Sequence, residues 1–218
     1  MSGALTLRSG RSDSGSSGSL LVLSGSSESG VAGSVSIQVS SGNDGNGGRV
    51  VLQAGFENES NNGGSISVST GTAAKSSGSF SILTNDASSS GRSGSLMIST
   101  GTATSGSSGS VVLTTESAVA SGVGGGVSIQ AGAGTTYPGG RVVVSAGNDS
   151  DNTGGSVYFT TGTGVSQSGP FTIKSQDATL DTGTVSLQSA STPIHAGSVV
   201  VTTAPSAGSE SGSVSITS

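Results

Sequence analysis

The chain has 218 residues, 39 of them glycine, with 9% charged and 3% aromatic residues, no cysteine or tryptophan, and a net charge of −5. Without cysteine there are no disulfide staples and no thiolate metal sites. The seven Lys and Arg residues are scattered from Arg8 to Lys174, with no basic cluster to track a phosphate backbone, so no nucleic-acid partner is expected.

Such an excess of glycine and serine is typical of flexible linkers, yet here the apolar residues recur at fixed places. Opening glycines fall at Gly3, Gly18, Gly33, Gly48, Gly64, Gly78, Gly94, Gly109, Gly125, Gly140, Gly155, Gly169, Gly183, Gly197 and Gly212, spaced 14 to 16 residues apart. Two residues after each glycine stands an apolar side chain, from Leu5, Leu20 and Val35 to Val185, Val199 and Val214. Four residues after it the rule repeats, from Leu7, Val22 and Ile37 to Leu187, Val201 and Ile216. The stretch Gly64-Ser65-Ile66-Ser67-Val68-Ser69-Thr70-Gly71 shows the pattern whole.

Period-two alternation of branched residues bounded by glycine predicts a half-buried strand, and the intervening residues carry turn chemistry. Helix is excluded by glycine in every candidate window. The expected fold class is all-β, a parallel β-solenoid of about 15 strands. Two stacked sheets with about 30 residues per coil let the apolar rows of odd and even strands face each other; the alternative is about 15 residues per coil. The residue three after the glycine supports the longer period. It is mostly a hydroxyl residue on odd strands (Thr6, Ser36, Ser67, Ser128, Ser186, Ser215) and mostly apolar on even ones (Leu21, Val51, Val112, Val143, Val200). An antiparallel meander is disfavoured because its loops need not be so long.

Residues 1–218 read as a single repeat domain. The first repeat begins at residue 3 and the last runs to the chain end without a polar cap, so a segment of a longer repeat protein, or ends that pair with other chains, is expected. No apolar run approaches the roughly 20 residues of a membrane helix, so membrane insertion is not expected. No basic and then apolar leader is visible at Met1-Ser2-Gly3-Ala4-Leu5.

Side chains that carry chemistry are few. His195 is the only histidine and falls in a corner, Pro193-Ile194-His195-Ala196, where a plain loop role is expected. The close carboxylate pairs Glu57 with Glu59 and Asp149 with Asp151 lie in loops without an apolar pocket to tune an acid–base dyad. Asn43-Asp44-Gly45-Asn46 and the Asp149 loop are oxygen-rich, which makes calcium in these Asx-rich corners conceivable; an Asx turn is the plainer reading, and no cofactor is expected. The run Gly122-Val123-Gly124-Gly125-Gly126 lacks the following helix of a phosphate cradle. Asn58-Glu59-Ser60 and Asn148-Asp149-Ser150 match the glycosylation pattern, as chance allows in so Ser- and Asn-rich a chain.

The outward residues Leu21, Val51, Val112, Val143 and Val200 are the candidate interaction face, flanked by Arg49 and Arg141. Branched residues suit any pleated surface, but a contiguous apolar patch points to a partner. The glycine-bounded, Ser/Thr-laddered repeats resemble β-solenoid antifreeze proteins, whose flat threonine ranks match ice. That resemblance implies an ice-binding alternative. The corresponding face is interrupted here by Arg8, Gln38, Met97, Gln130, Tyr158 and Gln188, and the recurring threonines (Thr70, Thr84, Thr100, Thr115, Thr161, Thr203) fall on the inward parity.

The expected function is that of a non-enzymatic structural repeat protein. It would form a rigid extracellular or surface rod or fibre, with lateral or end-to-end self-association. Besides ice binding, a viral or cell-surface adhesion fibre is the other alternative. Sugar-cleaving solenoids present aromatic platforms, and this chain has two tyrosines and no tryptophan.

Overall fold

The computed structural model describes residues 3–42, 46–56, 62–88, 91–119, 121–165, 167–178, 181–190, 196–203 and 212–217. They fall into two units, Met1–Ser110 and Val111–Ser218. Among the described residues there is no helix and no strand. The expected all-β parallel solenoid, in either coil length, is therefore overturned, and the resemblance to β-solenoid antifreeze proteins does not carry over to the structure.

The physical reason lies in what alternation can and cannot do. A strand needs a neighbour whose N–H and C=O groups run beside it and whose side chains cover its apolar face. Two apolar side chains per repeat give little to bury, while glycine-rich backbone is the most costly to order. Among the described residues backbone hydrogen bonds stay within the loops: six close a loop at its base, and one, Gly91 N donating to Ser88 O at 2.9 Å, lies inside a loop.

Loop closure is the regular feature, and it follows one register. In the first unit each opening glycine comes against the residue six places after the previous one: Gly18 against Ser9, Gly33 against Ser24, Gly48 against Val39, Gly64 against Ala54, Gly78 against Thr70, Gly94 against Thr84, and Gly109 against Thr100. A methyl group placed on Gly64 would lie 3.2 Å from Ala54 Cβ and 3.1 Å from Gly55 N. Hydrogen bonds complete two of these loops, with Gly64 N donating to Gly55 O at 2.8 Å and Gly78 N to Gly71 O at 3.2 Å.

The second unit repeats the register by itself. Gly125 meets Thr115, Gly140 meets Ala131, Gly155 meets Ala146, Gly169 meets Thr161, Gly183 meets Ser175, Gly197 meets Ser189, and Gly212 meets Thr203. Here Gly140 N donates to Gly132 O at 2.8 Å, Gly155 N to Gly147 O at 2.9 Å, Gly169 N to Gly162 O at 3.3 Å, and Gly197 N to Ala190 O at 3.2 Å. In every hydrogen-bonded case the acceptor is the residue seven after an opening glycine. The enclosed stretch varies from six residues (72–77) to eight (56–63), so the register is held while the loop length gives.

Closure covers very little. No described residue is buried, and the chain exposes 22149 Å². A compact chain of this mass would expose about 8,900 Å² and a fully extended one about 30,000 Å². The only half-buried described residues are Ser9, Ala54, Ala131, Ala146 and Ser175, all six places after an opening glycine. What burial exists is at the loop bases.

Individual loops add their own devices. In the loop from Ser9 to Gly18, Arg11 Nε pairs with Asp13 Oδ1 at 2.8 Å and Ser12 Oγ donates to Ser14 O at 3.1 Å. Gly15 there has φ +98°, a left-handed conformation that side chains disfavour. In the loop from Ala131 to Gly140, a Cβ at Gly134 would run into the carbonyl oxygen of Tyr137, and Gly164 stands in the same relation to Gln167 O.

Two outcomes follow. Gly134→Ala should open the 132–140 loop, at about 1 kcal/mol for the lost closing bond, or roughly fivefold in the closed-to-open ratio. Gly132→Ala, with nothing within 4 Å of the new methyl, should leave it closed. Amide hydrogen exchange at Gly140 reads both, and equal exchange in the two variants would contradict the steric argument. In dilute solution the isolated chain should also lack a cooperative calorimetric unfolding transition, because unfolding has little apolar surface left to expose. A sharp transition independent of concentration would refute that.

Candidate interaction surface

Side chains of the candidate face sit where the repeat puts them, three after each opening glycine. In the first unit Leu21 and Val51 are exposed, and in the second Val112, Val143 and Val200 are exposed. With no sheet among the described residues, they do not form a continuous ladder along one face. Each is a separate apolar projection beside a closed loop. The hydroxyl residues of the other parity likewise lack a flat rank. The expected laddered solenoid surface is thus corrected to a series of discrete, exposed apolar sites.

Residues expected to point inward are exposed too. Val157 is 43% exposed and Val185 48%, while Leu187 is 68% and Val201 72%. Positions two after the glycine therefore gain some cover from the loop base, and positions four after it gain less. One loop extends closure into an apolar contact. The rings of Phe159 and Phe171 stack with centroids 6.3 Å apart and planes at 24°, two residues outside the Thr161–Gly169 meeting on either side. That separation lies within the range where aromatic pairs attract beyond simple area burial.

Sequence reasoning noted the recurring threonines six after the glycine but not the part that this position and the next play in closing the loops. Their signal was present, as small side chains (Ser, Thr, Ala, once Val) at every sixth position that precedes another repeat. Thr115 adds a side-chain link there, its Oγ1 donating to Gly125 O at 3.0 Å.

Of the oxygen-rich corners, the Asp149 loop is described. Asp149 Oδ1 accepts from Asp151 N at 2.8 Å and from Asn152 N at 2.6 Å, and Ser150 Oγ donates to Asp151 Oδ2 at 3.3 Å. This is an Asx turn inside the loop closed by Gly155 N and Gly147 O. One carboxylate oxygen is committed to two backbone amides, and those two bonds hold its pKa below the usual carboxylate value, the Asp151 amide contributing most. His195, Glu57, Glu59, the Asn58-Glu59-Ser60 sequon and Asn43-Asp44-Gly45 lie outside the described residues. Among the described residues there is no cavity, no group of three or more Asp, Glu or His placed to hold a metal, and no helix long and apolar enough to cross a membrane.

No protein-family model, curated protein or solved structure matches the chain.

The Asp149 turn gives a pH-dependent outcome. Its pKa is depressed by bonds that only the ionised, folded turn makes. Those bonds are fully present above the usual carboxylate pKa and are lost as pH falls through the lowered value. Amide chemical shifts of Asp151 and Asn152 should titrate together with the Asp149 carboxyl, at a midpoint below the usual carboxylate value. Independent midpoints for the amides and the carboxyl would refute the turn.

Proposed function

We propose that this chain is a non-enzymatic structural repeat protein that associates with further copies of itself, or with neighbouring repeats of a longer chain, through apolar side chains that its own fold leaves uncovered. One observation carries the reading. Thirty regularly spaced apolar residues, and Leu21, Val51, Val112, Val143 and Val200 besides, all remain exposed. Soluble chains rarely leave so much apolar surface exposed without a partner.

The repeat itself favours a like partner. A second copy presents the same spacing of apolar projections and glycine-lined loop bases, so contact made at one repeat can recur at the next. Association through repeated weak contacts gains strength with repeat number rather than from any single site. The mild charge of −5 spread over 218 residues opposes such association only weakly.

Sedimentation and electron microscopy over a range of concentrations test the proposal, with a Val112→Lys, Val143→Lys variant beside the parent. The parent should assemble as concentration rises, and the variant should need a markedly higher concentration, since two charges would have to be desolvated in each contact. A parent that stays monomeric at every concentration would sink the reading.

A further inference from the structure

The loop from Ala54 to Gly64 ends in Asn62-Gly63-Gly64, and the loop from Val39 to Gly48 ends in Asn46-Gly47-Gly48. Both asparagines are exposed. Glycine after asparagine leaves the next backbone nitrogen unshielded and gives the chain freedom to bend toward the side-chain amide. Among the described residues Gly63 N donates to no backbone acceptor, the closing bond being made one residue later by Gly64 N. Among the described residues a methyl group on Gly47 would meet nothing within 4 Å, and one on Gly63 would meet only Gly55 O at 3.7 Å, so none of them crowds either site.

We infer that Asn62, and Asn46 by the same arrangement, are sites of spontaneous deamidation, and that reaction at Asn62 opens its loop. The nitrogen of Gly63, after losing its proton, attacks Cγ of Asn62. The N–Cγ bond forms, the Cγ–Nδ2 bond breaks, and Nδ2 leaves as ammonia with the proton, giving a five-membered succinimide. Water then adds to either ring carbonyl and opens the ring to aspartate or isoaspartate. The net change is water consumed and ammonia released, with no oxidant or reductant. Isoaspartate lengthens the main chain by one methylene and adds a negative charge, both directly before the Gly63-Gly64 segment. Gly64 N, whose bond to Gly55 O closes the loop, is then displaced from its register. The 54–64 loop thereby carries an age-dependent opening device.

The remaining described asparagines are internal controls. Asn85, Asn148 and Asn152 precede Asp86, Asp149 and Thr153, whose side chains shield the attacking nitrogen. The full chain would be held at mildly alkaline pH and sampled over time by peptide mass mapping with enzymatic labelling of isoaspartate. Expected is loss of the amide at Asn62 and Asn46 well before Asn85, Asn148 and Asn152, with the Gly64 amide resonance shifting in step with conversion at Asn62. Gly63→Ala should slow conversion at Asn62 to the rate of the control asparagines and leave that at Asn46 unchanged. Conversion at Asn62 no faster than at Asn148, an unaffected rate in Gly63→Ala, or an unchanged Gly64 resonance in converted chains would each overturn the inference.

Discussion

Everything regular in this molecule depends on one close approach, between the α-carbon of each opening glycine and the small side chain six places after the glycine before it. Only glycine leaves room for that meeting at its tightest points, as Gly64 against Ala54 and Gly48 against Val39 show. The meeting sets the register in which the glycine N–H reaches the carbonyl one residue further on, from Gly55 O to Ala190 O. It also accounts for the half-buried positions, Ser9, Ala54, Ala131, Ala146 and Ser175. Loops of different length are tolerated because the constraint acts at their base and leaves their interior free.

The same constraint leaves the apolar residues outside. Closure uses the backbone and the residues flanking it, so the apolar residues two, three and four after the glycine all stay exposed, those two after it gaining the most cover. Where bulky rings stand at those places, as Phe159 and Phe171 do, they meet each other across the loop. Elsewhere the branched side chains wait for something to lie against. A protein built this way has little internal cohesion and leaves its apolar side chains exposed, which is the basis for the proposal that it is a structural, self-associating repeat chain. Its loops also supply local chemistry that a folded core would suppress, whether an Asx turn at Asp149 or unshielded Asn-Gly bonds at Asn46 and Asn62.

A good part of this was legible from residue spacing. The repeat and its glycine punctuation could be read from alternation and turn chemistry. The Asx turn was legible too, because aspartate followed by small polar residues favours its own backbone amides. What misled was the step from pattern to sheet. Alternation at Ile66 and Val68 states which side chains share a face, but a sheet also requires neighbours that pay out their N–H and C=O groups alongside, and those neighbours are distant in sequence.

By itself, then, the sequence determined the module: a glycine, two apolar residues of one parity, a small residue at the sixth place, and a turn of six to eight residues. Local sterics and glycine's missing Cβ are enough for that, since the partners lie within ten residues of each other. Only the tertiary structure decided that modules close on themselves rather than pair into a ladder. That choice rests on a balance between burying two modest side chains and ordering a glycine-rich backbone, a balance that no spacing of residues records.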